Sequence, residues 1–132
     1  MFDWTSVNWL AVVAAAVVGL LIGIVWYAPP LVGGVAKRAS IGLPSTEPIA
    51  AAASALVVLV IATVLALFDR AIGANSIVDG AIVGGVTWFG FVLTGTITIA
   101  LFENRSVEYI VIRAGQALLS MVAMGALIGA WR

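Results

Sequence analysis

The sequence predicts an all-α fold: a polytopic membrane protein in which four transmembrane helices form a four-helix bundle of antiparallel hairpins, a single domain over residues 1–132. Three observations carry this expectation. Hydrophobic residues make up 64% of the chain and charged residues 9%, against roughly 45–50% and roughly 25% in soluble domains. Four apolar segments of about 20 residues or more follow one another, each long enough to cross a hydrocarbon core, with short polar or Gly- and Pro-containing stretches between them. Inside a bilayer no water satisfies backbone N–H and C=O groups, so segments of this kind must coil and bond to themselves.

The first span is read over 9–27, a charge-free stretch that covers about 28 Å at 1.5 Å per residue. Trp4 and Trp9 at one end and Trp26 and Tyr27 at the other, like Trp131 at the end of the chain, are read as interface anchors, amphipathic rings at headgroup level. Pro29 and Pro30 then stop the helix, because Pro lacks an amide donor and biases its predecessor away from helix. The residues before this span include Asp3 and no Lys or Arg, and no small-residue cleavage site follows. The span is therefore expected to stay in the mature protein rather than to leave as a signal peptide.

Residues 28–47 are read as an interfacial loop, since Gly33, Gly34, Gly42 and Pro44 oppose a long helix there; a short surface helix is expected around Leu31 to Ala39. The second span is read over 48–68, with Pro48 fitting its first turn and Asp69 and Arg70 marking its exit. Gly73, Asn75 and Ser76 make the next turn, and the order from Ser76 to Asp79 resembles a capping box. It opens a third span, read over 79–102. Asp79 is accordingly a helix-start residue, favoured by the positive end of the helix dipole. Glu103 to Ser106 form a tight turn into the fourth span, read over 108–131, so the last two spans form a hairpin.

Periodicity at 100° per residue sorts the faces. Gly80, Gly84, Thr87, Thr94, Gly95 and Thr98 share one stripe of the third span, which is read as a packing seam, the alternative being a pore lining of Thr hydroxyls. Arg113, Gln116 and Ser120 share a face of the fourth span, with Gly115, Gly125 and Gly129 broadly opposite. Gly19 and Gly23 give the first span its own small-xxx-small spacing, the pattern of GxxxG association. With two distinct faces on the fourth span, one is expected inside the bundle and the other against a partner. Arg113 lies near enough to the end of its span to snorkel; the other reading makes it a buried cation for an anionic substrate or Glu108. Gln116 lies one turn deeper and should face protein, because an unpaired amide in hydrocarbon costs several kcal/mol. Trp88, well inside the third span, is read as a packing residue.

Composition also limits the chemistry. Six basic and six acidic residues give zero net charge, and without a run of like charges nucleic-acid binding is excluded as an expectation. The chain has no Cys and no His, so thiolate and imidazole chemistry, disulfides and the commonest metal and haem ligands are absent. No Lys lies in a span, and no Gly-Lys-Ser/Thr follows the Gly-rich pieces. No cofactor, no metal site, no catalytic residue and no enzymatic activity are therefore expected. Gly23, Trp26, Tyr27 and Gly85, Trp88, Phe89 share a spacing, but one set lies at the exit of its span and the other nearer an entrance, so an internal repeat is not expected.

Three segments, GIVWYAPPLVG (Gly23 to Gly33), NWLAVVAA (Asn8 to Ala15) and the stretch from Leu101 to Trp131, resemble the small bacterial and archaeal membrane proteins known as domain of unknown function 1761. Leu31 and Val32 stand where that pattern usually has a bulky aromatic. The resemblance implies a bundle of about four helices and no established activity. The first functional expectation is a non-enzymatic structural or accessory component that meets lipid, self-associates as a homo-oligomer or joins a larger complex through Gly-rich faces. The second is an oligomeric channel or small-solute transporter lined by Thr87, Thr94 and Thr98 with Arg113 and Gln116. Lys37, Arg38, Arg105 and Arg113 lie on one side and Arg70 and Arg132 on the other, so in the cell membrane both termini are expected on the outer side.

Overall fold

A computed structural model describes residues 4–28 and 47–131. A 3-10 turn, Trp4–Ser6, leads into α1 (Trp9–Trp26), and α2 (Pro48–Ile72) follows. The third span is composite: α3 (Ile77–Thr87), a π-helical turn (Trp88–Leu93) and α4 (Thr94–Phe102), after which α5 (Val107–Ala130) runs back antiparallel. Among the described residues four spans are long and apolar enough to cross a membrane, and the protein is a multi-pass membrane protein with a four-helix bundle fold. The connection 29–46, and with it the surface helix expected around Leu31 to Ala39, lies outside the described residues.

Local chemistry sets the ends. Asn8 caps α1 by accepting from the Ala11 amide at 3.2 Å and also donates to the Trp131 carbonyl at 3.2 Å, tying the two ends of the chain together. Ser76 accepts from the Asp79 amide at 3.1 Å while the Asp79 carboxylate accepts from the Asn75 amide at 3.4 Å, a reciprocal pair shifted by one residue from a strict capping box. Ser106 caps α5 through the Tyr109 amide at 3.3 Å. Asn104, at φ 56°, takes the left-handed position of the turn between α4 and α5.

The second span runs past its expected exit. Asp69 and Arg70 lie inside α2, which ends only where Gly73 turns left-handed at φ 84°; the amides of Gly73 and Ala74 both donate to the Asp69 carbonyl, at 3.0 and 2.8 Å. Two charged residues do not stop a helix in its last turn, whereas a residue in αL does. Asp69 is also buried, only 2% exposed.

α5 is the central element, with α1 and α3 packed along it and α2 closing a third side. Leu65 and Ala62 of α2, Val12 and Ala15 of α1, and Met124 and Ile128 of α5 share one buried core. All of this core lies towards the end of the bundle that carries the chain termini. Towards the opposite end α1 finishes at Trp26, level with Ile112, while α5 starts at Val107, so the α4/α5 hairpin extends past α1 by about 8 Å.

Candidate functional site

The polar face of α5 meets the last two turns of α1. Arg113 donates from Nη1 to the Tyr27 hydroxyl at 3.1 Å, and its guanidinium lies over two rings, 5.4 Å from the Tyr27 centroid and 5.9 Å from that of Tyr109. Cation–π contact and a hydrogen bond thus hold the half-buried charge at the end of α1. One turn deeper, Gln116 Nε2 donates to Ser120 Oγ at 2.9 Å, and a Cβ on Gly23 would stand 3.4 Å from that nitrogen. The amide thus lies against the Gly23 turn of α1, and Arg113, Gln116 and Ser120 all lie on protein-facing surface, Ser120 buried.

Two indoles fix this seam. Trp26 donates to the Ile112 carbonyl at 3.1 Å and Trp88 to the Ala114 carbonyl at 2.8 Å. The Trp26 ring lies across Gly115, where a Cβ would come within 3.2 Å of it. Trp26 and Tyr27, read as interface anchors, are thus built into the α1/α5 contact, while Trp4 and Trp9 stack at 6.4 Å and stay exposed, as does Trp131. The two Trp residues also correct the reasoning against a repeat: their acceptors on α5 are two residues apart, so the indoles sit at about the same depth. The third span simply continues beyond the level at which α1 stops.

The Gly positions divide sharply. A Cβ on Gly80 would overlap the Gly125 carbonyl, one on Gly84 the Met121 carbonyl, and one on Gly129 the Ser76 carbonyl. These contacts are backbone to backbone, the closest approach helices make. Gly19 faces Met124 Sδ, 2.8 Å from an added Cβ. Gly95, expected on the same seam, has nothing within 4 Å, and Thr94 and Thr98 are exposed. The π turn is the reason: its i→i+5 bonding takes up one extra residue and advances the face by about 100°. From the turn onward the inward positions are Val92, Thr96 and Ala100, and Phe91 points outward at 71% exposure. The hydroxyls of Thr87, Thr94 and Thr98 bond back to carbonyls of their own helix, those of Val83, Gly90 and Thr94, each at 2.8 Å.

Both faces of α5 are consequently used within the chain, Gly125 and Gly129 against α3 and Gln116 with Ser120 against α1. Between α1, α2, the π turn and α5 a cleft of about 390 Å³ remains, with Gln116, Ser120 and Ser54 as its polar lining. Two features had no signal in the sequence, the π turn and the burial of Asp69. The indole bonds to α5 carbonyls were hinted at only by the position of Trp88, alone in mid-span.

A family model described as protein of unknown function (DUF1761) matches residues 10–129, nearly the whole chain. No curated protein and no solved structure matches it.

Proposed function

The chain belongs to the DUF1761 family, and from that premise we propose that it is a non-enzymatic structural or accessory component of the cell membrane, assembling with copies of itself or within a larger membrane complex. One observation carries the reading. From the π turn onward the third span presents Gly90, Thr94 and Thr98 on an exposed face, with open space around Gly90 and Gly95. Small residues at four-residue spacing let a second helix approach closely, and packing of that kind is what drives association in a bilayer. The Gly faces of α5 are occupied within the chain, so the proposed contact lies on α4. The Lys and Arg bias supports an orientation with the α4/α5 turn on the cytoplasmic side and both termini outside.

The absence of Cys makes a clean test possible. Thr94→Cys and Thr98→Cys, oxidised in native membranes, are expected to give disulfide-linked dimers, and Leu119→Cys, exposed on α5, is expected to give none. Equal cross-linking at all three positions, with only monomers by native mass spectrometry in mild detergent, overturns the reading. An oligomeric channel or small-solute transporter is the second reading, favoured by the outward Thr94 and Thr98, which would line a seam between copies. Ion or solute flux in proteoliposomes that Thr98→Val abolishes would establish it instead.

A further inference from the structure

The cleft has a direction. From Gln116 to Met124 it follows α5 for about 12 Å, and Ser54 lies with Gln116 at one end while Ile61 and Met124 close the other. Val57, Val58 and Val92 line its middle. The polar end is the one nearer the α4/α5 turn. There Gln116 has spent one amide hydrogen on Ser120, leaving a second donor on the same nitrogen, and Ser54 and Val57 are exposed, so the cleft opens sideways between α2 and the π turn. Its volume falls within the roughly 300–1,000 Å³ of ligand pockets.

Charge supplies the remaining piece. Arg113 lies on the same face of α5 as Gln116 and one turn nearer the membrane surface, where α1 ends and covers it no further. Its guanidinium lies over the rings of Tyr27 and Tyr109. Among the described residues Arg113 is the cation on the α5 face that carries Gln116 and Ser120, the polar lining of the cleft. A cation at headgroup depth, amide and hydroxyl donors a turn below, and an apolar slot beneath them reproduce the polarity of a phospholipid from phosphate through ester to acyl chain. We propose that this cleft binds one anionic phospholipid of the leaflet on the α4/α5-turn side. Its phosphate meets Arg113, an ester carbonyl accepts from Gln116 or Ser54, and one acyl chain lies against Val57, Val92 and Met124.

The test uses the full chain reconstituted with phosphatidylglycerol, phosphatidylcholine and diacylglycerol at equal mole fraction, with bound lipid per chain counted by native mass spectrometry. Phosphatidylglycerol is expected at one per chain, with a preference over phosphatidylcholine of about fivefold, the weight of a single basic residue against an anionic lipid. Diacylglycerol should be retained least. Arg113→Gln is expected to erase the preference, Arg113→Lys to keep it, and Ser54→Phe, a filled mouth at an exposed position, to lose all three lipids. Equal retention of the two phospholipids by the native protein, a preference that survives Arg113→Gln, or binding unchanged in Ser54→Phe overturns the proposal. So does a Ser54→Phe variant that loses self-association while its bound lipid stays the same, since a second copy would then be the occupant.

Discussion

Along the third span, two halves of similar composition meet the rest of the protein in opposite ways. In α3, Gly80 and Gly84 lie directly against the backbone of α5, and Gly125 and Gly129 answer them from the other side. In α4, Gly95 touches nothing and Thr94 and Thr98 look outward, although all three continue the same sequence stripe. Small residues permit close approach without compelling it. What decides is whether the helix keeps its rotation, and between these halves a single π turn resets it.

The largest effect should come from the locked half. Gly80→Ala sets a methyl group against the Gly125 carbonyl, a backbone atom that no rotamer change can move away. The helices must separate, and we expect a loss of about 3 kcal/mol, the upper end of overpacking costs, read as a lowered midpoint in detergent unfolding. A variant as stable as the native protein would mean that α3 and α5 are held apart in the membrane.

Inserting one Ala between Leu93 and Thr94 should come next and acts on the boundary itself. The π turn already holds one extra residue, so a second rotates α4 by about 100°. Thr96 and Ala100 then leave the α5 face and Gly95 and Ile99 turn inward. Stability should fall by about 2 kcal/mol, on the order of one apolar side chain withdrawn from contact, and Thr94→Cys cross-linking should drop several-fold. Cross-linking that persists at full yield would show that the outward face does not depend on the turn.

The indole contacts give a smaller effect. Trp88→Phe keeps the ring and removes the bond to the Ala114 carbonyl. About 0.5–1.5 kcal/mol is expected from a hydrogen bond of this kind, nearer the lower value because bonds between membrane helices average about 0.6 kcal/mol. Trp26→Phe gives up a longer bond, 3.1 Å, but also withdraws the far edge of the indole from Gly115, so its cost should be similar. Losses well above this range at both positions would mean that the indoles do more than clamp α1 and α3 to α5.

Much of the fold was legible because hydrocarbon leaves the backbone so few options. The four spans, the Ser76 and Ser106 starts and the stop near Gly73 follow from composition and capping chemistry that any reader of the chain can apply. Faces were legible as long as a helix stayed regular, so Arg113, Gln116 and Ser120 could be grouped on α5 without knowing what they meet. Their partners could not: Tyr27 and Gly23 are 86 and 93 positions away in the chain, and only packing brings them there. The turn from Trp88 to Leu93 was invisible for a different reason. Nothing in WFGFVL breaks apolar character, and rotation about a helix axis leaves no trace in composition. Asp69 was misplaced because a charge near a span's end reads as an exit, although the helix is stopped four residues later by the conformation of Gly73.

The smallest effect tests the open half with the substitution that opened the series. Gly95→Ala adds the same methyl group as Gly80→Ala, on the same strip of sequence, but into space with no atom within 4 Å. Without a clash, only the backbone term remains, and replacing Gly by Ala inside a helix favours the helix by up to about 1 kcal/mol. The unfolding midpoint should therefore stay level or rise slightly. If the proposed contact on α4 is real, the cost appears elsewhere: the monomer gains while dimer cross-linked through Thr98→Cys falls, because the added methyl group stands where a second helix must approach. A midpoint that drops as far as that of Gly80→Ala would place α4 against the bundle in the membrane and erase the distinction between the two halves.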